Sequence, residues 1–372
     1  MAAITAAMVK ELREASGAGM MECKKALTET DGDMDAAIEV LKKSGAMKAA
    51  KKASRIAAEG LCDVAKCECG KKAAVVEVNS ETDFVAKNEK FKEFVKRVAA
   101  QALKTEAADM DGFMAEKWID DESKTVKDAL NDMVLTIGEK LDIRRFKKVE
   151  SDKGLVESYI HGGGKIAVIV EAAGEDKPEV REAMKNIAMQ VAAMNPSYVK
   201  KTDISDAELA KLTEITVDSS LNDPATLPKP ILQKLIDKAV ADKKWSDSDI
   251  AIYQGKVAEK ANMNFLFNFL SDAAAPALAE MALAQKADYM NDKIFTGLVD
   301  GRVKKQLKEI TLFEQVYVKA EDGKQTVEQY VASVAKDTGC AFDVLSVVRF
   351  ETGEGIEKKE ENFAEEVAKQ MQ

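Results

Sequence analysis

The sequence predicts an α+β protein. A small three-helix domain comes first, then two copies of one α+β unit with small antiparallel sheets, the second carrying a long helical insertion. Three observations predict this. Short capped segments of helical periodicity fill residues 1–55, an ungapped internal repeat relates 60–77 to 154–171, and residues 200–310 carry helix-start signals with apolar residues at helical spacing.

Taken in order, Thr5 can cap a first helix through Met8, Val9 and Leu12, which SGAG (16–19) stops. MMECKKALTE (20–29) fits a second helix. Asp33, after the turn TDGD, is a plausible N-cap for a third, with Ile38 and Leu41 on one face and Gly45 as the residue that ends it. An acid-free basic run, Lys42, Lys43, Lys48, Lys51, Lys52 and Arg55, leads out of this bundle. It reads either as a solvated face or as a contact for an acidic partner.

The repeat begins next. GLCDVAKCECGKKAAVVE (60–77) aligns with GLVESYIHGGGKIAVIVE (154–171) at a constant offset of 94. Each reads as a hairpin with a Gly-containing turn and an apolar second strand that reaches Glu. A helix pattern follows each, FKEFVKRVAAQ (91–101) and VREAMKNIAMQ (180–190). Each copy then closes alike: TVKDAL (125–130) leads to LDIRRF (141–146), and TVEQYV (326–331) to LSVVRF (345–350), a third strand bearing Arg-Phe. The expected domains are 1–55, 56–150, 151–199 with 311–350, an insertion at 200–310, and a C-terminal helical module at 351–372 in which Phe363 and Val367 stand four apart.

The copies differ informatively. From Glu77 to Phe91 is 14 positions, from Glu171 to Val180 only 9. The five extra residues of the first copy fall in TDFVAKN, an excursion that the scaffold does without in its second copy. Connections are usually polar surface segments, yet this one carries Phe84. The other difference is the insertion, roughly Lys200 to Val318. Ser205 with Glu208 fits a capping box, Pro230 suits the first turn of ILQKLIDKAVADKK, and KIFTGLVDGRVKKQLKEI (293–310) is helical in pattern. It is expected to form a hairpin or small subdomain that meets a partner, a second copy of the chain, or its own body.

Composition excludes several classes. The chain has 372 residues, a net charge of −10 and 6% aromatics. A nonspecific polyanion binder and a single-strand stacking platform are both disfavoured, so no direct nucleic-acid role is expected. The most apolar window, 264–284, is broken by Asn268, Ser271, Asp272, Pro276 and Glu280. It will not span a bilayer, and no membrane role is expected. The N-terminus lacks a charged n-region followed by a long apolar core, so a cytoplasmic location with five reduced cysteines is expected.

Catalytic chemistry is sparse. The one histidine, His161, lies in a hairpin turn where its repeat counterpart is Cys67, and no GxSxG elbow exists. Cys62, Cys67 and Cys69 form C-x4-C-x-C without a fourth zinc ligand nearby. GAGMME (17–22) and HGGGKIAV lack the phosphate-cradling patterns and their strand–helix context. A non-enzymatic protein without cofactor or metal is expected.

Six stretches, in order along the chain, resemble the elongation factor Ts family of bacterial nucleotide exchange factors. They are KELREASGAGMMECKKALTETDGDMDAAIEVLKKSG, EVNSETDFVAKN, IGEKLDIRRF, YIHGGGKIAVIVEAAG, GRVKKQLKEITLFEQ and VVRFETGEGIEKKEENFAEEV. The chain departs from the family pattern at roughly Asp218–Gln285, longer than the family's short helical hairpin, and at Ser16, where Thr is common.

The resemblance implies a ubiquitin-associated-type N-terminal domain that touches the nucleotide domain of the GTPase elongation factor Tu through Arg13, Met20 and Met21. It implies that Thr82, Asp83, Phe84 and Val85 press against the GTPase beside its Mg²⁺ site, and that His161 approaches a second domain of the GTPase. The insertion would correspond to a coiled-coil and homodimerisation region. The activity implied is release of GDP in translation elongation, with the factor displaced by GTP. Asp83 would either fix the loop by backbone hydrogen bonds or meet a partner donor. The alternative function is a non-catalytic adaptor of the ubiquitin-associated type, which would not need the TDFV excursion.

Overall fold

The computed structural model describes residues 4–152, 154–260 and 263–357. The chain divides into two compact units, residues 1–195 with 317–372, and residues 196–316.

The first unit opens with three helices, α1 (Ala6–Ser16), α2 (Met20–Glu29) and α3 (Met34–Lys52). The Thr5 hydroxyl accepts from Met8 N and the Asp33 carboxylate from Ala36 N, each satisfying an otherwise orphaned helix donor. Leu12, Leu27, Cys23 and Ala37 form the core of the bundle. Gly45 does not end the third helix, which continues to Lys52. Gly45 is there because α3 packs against a later helix: a Cβ on it would sit 3.2 Å from Asn131 O. Its missing side chain serves close approach, not chain reversal.

Next come β1 (Glu59–Lys66), β2 (Lys72–Ser80), the short α4 (Asp83–Ala86), α5 (Glu89–Lys104), α6 (Met110–Ala115), the small hairpin β3 (Lys117–Trp118) and β4 (Asp121–Thr125), α7 (Val126–Ile137) and β5 (Leu141–Glu150). The sheet order is β1-β2-β5, antiparallel throughout. Strand β2 is buried along nearly its whole length because both its faces are covered. Ala74, Val76 and Val78 face a core shared with Phe91, Val95 and Val98 of α5, whereas Ala73 and Val75 face a second sheet.

That sheet, in the order β6-β7-β8, is the second copy, made of β6 (Gly154–His161), β7 (Ile166–Ala173) and, beyond α8 (Pro178–Met194) and the insertion, β8 after its own helix. The hairpins share one register: Cys62 pairs with Glu77 as Val156 pairs with Glu171. The copies meet through reciprocal contacts. Cys62 N donates to Gly164 O at 2.7 Å, and the equivalent Val156 N donates to Gly70 O at 2.8 Å. Each turn tip thus seats on the first strand of the other copy, the self-complementary pattern of a two-fold interface.

The insertion is a small helical subdomain, not a two-helix hairpin. It contains α9 (Asp206–Asn222), α10 (Lys229–Ala241), α11 (Asp247–Ala258), α12 (Ala274–Ala284), α13 (Lys286–Tyr289) and α14 (Lys293–Ile310). Ser205 and Glu208 make the expected capping box, and Pro230 lies in the first turn of α10. Leu221, Leu235, Leu266, Leu278 and Phe295 form a core of its own.

Helix α15 (Val327–Thr338) and β8 (Asp343–Glu351) complete the second copy. Thr125 and Thr326 both make capping boxes, so the closing helices of the two copies begin alike. The Arg-Phe dipeptides, however, are not structurally equivalent. Val76 pairs with Phe146, while its repeat counterpart Val170 pairs with Val347. The slip of three residues turns Phe146 toward the helices, against Phe113, and Phe350 into the interface between the sheets. Residues 351–357, expected within a helical module, instead finish β8 and turn back. The expected amphipathic helix with Phe363 and Val367 lies outside the described residues. Cys67 and Cys69 are joined by a disulfide, which corrects the expectation of five free thiols; Cys23, Cys62 and Cys340 are free and buried.

Candidate partner-binding site

The TDFVAKN excursion folds as α4, packed on β1. Its residues face two ways. Val85 is 8% exposed and joins the core with Ala86, while Phe84 is 79% exposed, the most exposed large apolar side chain among the described residues. One turn of helix suffices for this, because side chains i and i+1 point about 100° apart. Asn88 then caps α5, accepting from Lys90 N at 2.9 Å. The excursion is therefore anchored from beneath and by the helix that follows it.

The carboxylate of Asp83 is held by Lys87 Nζ at 2.6 Å, one turn along, and not by backbone amides. This hydrogen bond keeps the Asp83 carboxyl below the usual carboxylate range. The Lys87 ammonium also lies 5.8 Å from the Phe84 ring centroid. Thr82 is half-buried, and both its N–H and its hydroxyl donate to Glu139.

His161 lies at the tip of the β6–β7 hairpin, exposed, with Nδ1 3.0 Å from the Tyr159 hydroxyl. Its turn is tied to β1: Lys165 Nζ donates to Glu59 at 2.6 Å, and Gly164 contacts Cys62. The excursion packs on the same strand, and Asp83 feels the charges of both Glu59 and Lys165. Topology thus brings Phe84 and the His161 turn to one end of β1.

On the N-terminal helices, Arg13, Met20 and Met21 are all exposed, the methionines at 59% and 75%. Both therefore point outward from the bundle. The basic run is largely spoken for within the chain: Lys48 pairs with Glu22, Lys52 donates to Gly138 O, and Arg55 pairs with Glu81. This reduces its use as an anion-binding patch.

Among the described residues no group of three or more His, Cys, Asp or Glu could hold a metal, and no helix is long and apolar enough to cross a membrane. A concavity of about 520 Å³ lies between Phe94, Trp118 and Met133, with Arg97 paired to Asp120 and Lys124 to Asp132 on its rim. Sequence reasoning missed Glu139 and Lys140, whose contacts connect residues far apart in the chain.

The chain matches the family model described as elongation factor TS over residues 81–354. It is 44% identical to elongation factor Ts of Clostridioides difficile (strain 630) over 372 residues, all of both chains. It is 43% identical to that of Clostridium tetani (strain Massachusetts / E88), covering 99% of this chain and all of the relative. The figure for Clostridium perfringens (strain SM101 / Type A) is 39% over 98% of each. These alignments run through the long insertion as well as the two repeats.

Proposed function

This chain belongs to the elongation factor Ts family, and from that premise we propose that it drives GDP from elongation factor Tu by using Phe84 as a wedge. The activity that goes with membership is guanine nucleotide exchange in translation elongation, and the protein is an exchange factor rather than an enzyme. The observation that carries the mechanism is a large aromatic side chain held 79% exposed on a helical turn whose next two residues are buried. Large apolar side chains held out on rigid supports mark binding surfaces.

A GTPase holds GDP through phosphate contacts and a Mg²⁺ ion that demands near-ideal octahedral geometry. Insertion of Phe84 between two helices of the GTPase displaces the groups around that ion, and the nucleotide loses its anchor. Burial of one Phe yields about 2 kcal/mol, equivalent to roughly thirtyfold in nucleotide affinity. Linkage makes the effect reciprocal, so GDP and this factor weaken each other's binding by the same ratio, and GTP displaces the factor. The remainder of the coupling comes from the wider surface: Arg13, Met20 and Met21 on the N-terminal helices, and His161 beside β1. Thr82, Asp83 and Val85 set the wedge in place. Self-association through the helical insertion, residues 200–310, belongs to the same reading.

The test is release of labelled GDP from elongation factor Tu. Phe84→Ala is expected to lower exchange efficiency about thirtyfold while its thermal midpoint stays that of the wild type. Normal exchange by a folded Phe84→Ala protein would remove the wedge.

A further inference from the structure

The residues Gly138–Lys140, between α7 and β5, touch both the stem of the wedge and the exit from the N-terminal helices. Glu139 Oε2 accepts from Thr82 N at 3.1 Å, and Oε1 from the Thr82 hydroxyl at 2.9 Å. Thr82 is the N-cap of α4, yet its side chain makes no capping hydrogen bond to that helix, since the hydroxyl is turned to Glu139 instead. The usual local device for starting a helix is given up in favour of a long-range tie. Next to it, Lys140 N donates to Glu81 Oε1 at 2.5 Å. Lys140 Nζ donates to the carbonyls of Ala53 and Arg55, both at 2.8 Å. Arg55 in turn reaches Glu81 at 3.2 Å, and Lys52 donates to Gly138 O.

We infer that Glu139 is a positioning residue for nucleotide exchange, which holds the wedge in its binding-competent pose and ties it to the N-terminal helical domain through Lys140. This rests on the wedge reading of Phe84. The physical argument is preorganisation. A single helical turn is unstable by itself. Val85 and Ala86 fix its far end in the core, and without Glu139 its N-cap residue, Thr82, is left with a free N–H and hydroxyl. Both ligands of Glu139 are hydrogen bonds to a charged acceptor, the stronger kind. Their loss lowers the fraction of molecules with Phe84 in place, and the apparent affinity for the GTPase falls by that fraction.

The experiment compares Glu139→Ala, Glu139→Gln, Phe84→Ala and the Phe84→Ala/Glu139→Ala double variant in GDP release from elongation factor Tu over a range of factor concentrations. Glu139→Ala is expected to raise KM about tenfold while kcat at saturation is kept, whereas Phe84→Ala lowers kcat. Glu139→Gln is expected to recover most of the loss, because the amide accepts from Thr82 N and donates to the Thr82 hydroxyl. In the double variant Glu139→Ala adds nothing to Phe84→Ala, since it acts through that side chain. A wild-type KM for Glu139→Ala would overturn the inference, as would a Glu139 loss repeated in full on the Phe84→Ala background. Either result with Phe84→Ala impaired leaves the wedge standing and removes the positioning role alone. Unimpaired exchange by Phe84→Ala removes both.

Discussion

Glu77→Gln should weaken the first unit far more than its single-atom change suggests. Glu77 is fully buried on β2. Oε1 accepts from Arg144 Nη1 at 3.0 Å, Asn79 Nδ2 at 3.1 Å and Gly353 N at 2.7 Å, while Oε2 accepts from Arg145 Nε at 2.5 Å. This carboxylate therefore ties β2 to β5 and to the segment that follows β8. Arg145 reinforces the tie by lying 4.2 Å over the Phe350 ring and reaching Glu354 at 2.9 Å. In Glu77→Gln the amide nitrogen faces Arg145 Nε, donor against donor, and two charge-assisted bonds become neutral. Removing one partner of a buried pair costs about 3–5 kcal/mol. Both arginines keep access to water, with side chains 27% and 30% exposed, so the low end applies. A loss of about 3 kcal/mol would lower the midpoint of a unit this size by roughly 6–12 °C. Thermal unfolding, followed with hydrogen exchange of the peptides covering β2 and β5, measures it. Exchange activity at low temperature is expected to persist, because the Phe84 stem does not use Glu77. A loss below about 0.5 kcal/mol, with unchanged exchange protection in β5, would refute the argument that this carboxylate is a structural hub.

Two further outcomes are expected. Burial pushes the Asp63 carboxyl above its usual value near 3.8, and the Val64 N–H and the charge of Lys96 offset this only in part, whereas at the equivalent Glu157 the pairing with Lys66 and the Ser158 N–H outweigh burial. A carboxyl raised on folding binds more protons in the folded state, so its burial cost is full above the folded pKa and vanishes below about 3.8. Asp63→Asn, which can keep the Val64 N–H bond, should therefore raise the thermal midpoint at pH 7 and give no gain near pH 3; equal midpoints at pH 7 would show that the carboxylate is adequately solvated. For the thiols, burial lifts Cys62 to about 12, and Cys23 and Cys340 are also buried. Mass spectrometry after maleimide treatment at pH 7 should find the native protein unlabelled, two labels once the Cys67–Cys69 bridge is reduced, and five after unfolding with reductant. Two labels without reductant would show these cysteines to be free.

Much of the architecture was legible without coordinates. Helix starts at Thr5, Asp33 and Ser205 could be read because capping acts over three residues. The repeat survived in side-chain pattern, and its hairpins share one register for that reason. The excursion was visible as a difference in spacing, and Phe84 as an aromatic that a surface loop has no need of. Only the fold assigned directions, with Phe84 outward, Val85 inward, and both Met20 and Met21 exposed.

Where expectation failed, the deciding partner lay far along the chain. Gly45 reads locally as a helix stop, but Asn131 gives it its purpose. The two Arg-Phe dipeptides match by eye, but the register of β8 follows which face each Phe must bury. The unusual role of Thr82 shows only once Glu139, 57 residues on, stands opposite. The sequence by itself determined the N-terminal helices, the repeated hairpins, their order, the duplication and the place of the excursion, because propensity, capping and periodicity act within a few residues. The tertiary structure alone decided how the copies dock through Cys62–Gly164 and Val156–Gly70, and how the wedge is held at Glu139. Such contacts depend on closing loops of tens to hundreds of residues, and no local pattern records which ends will meet.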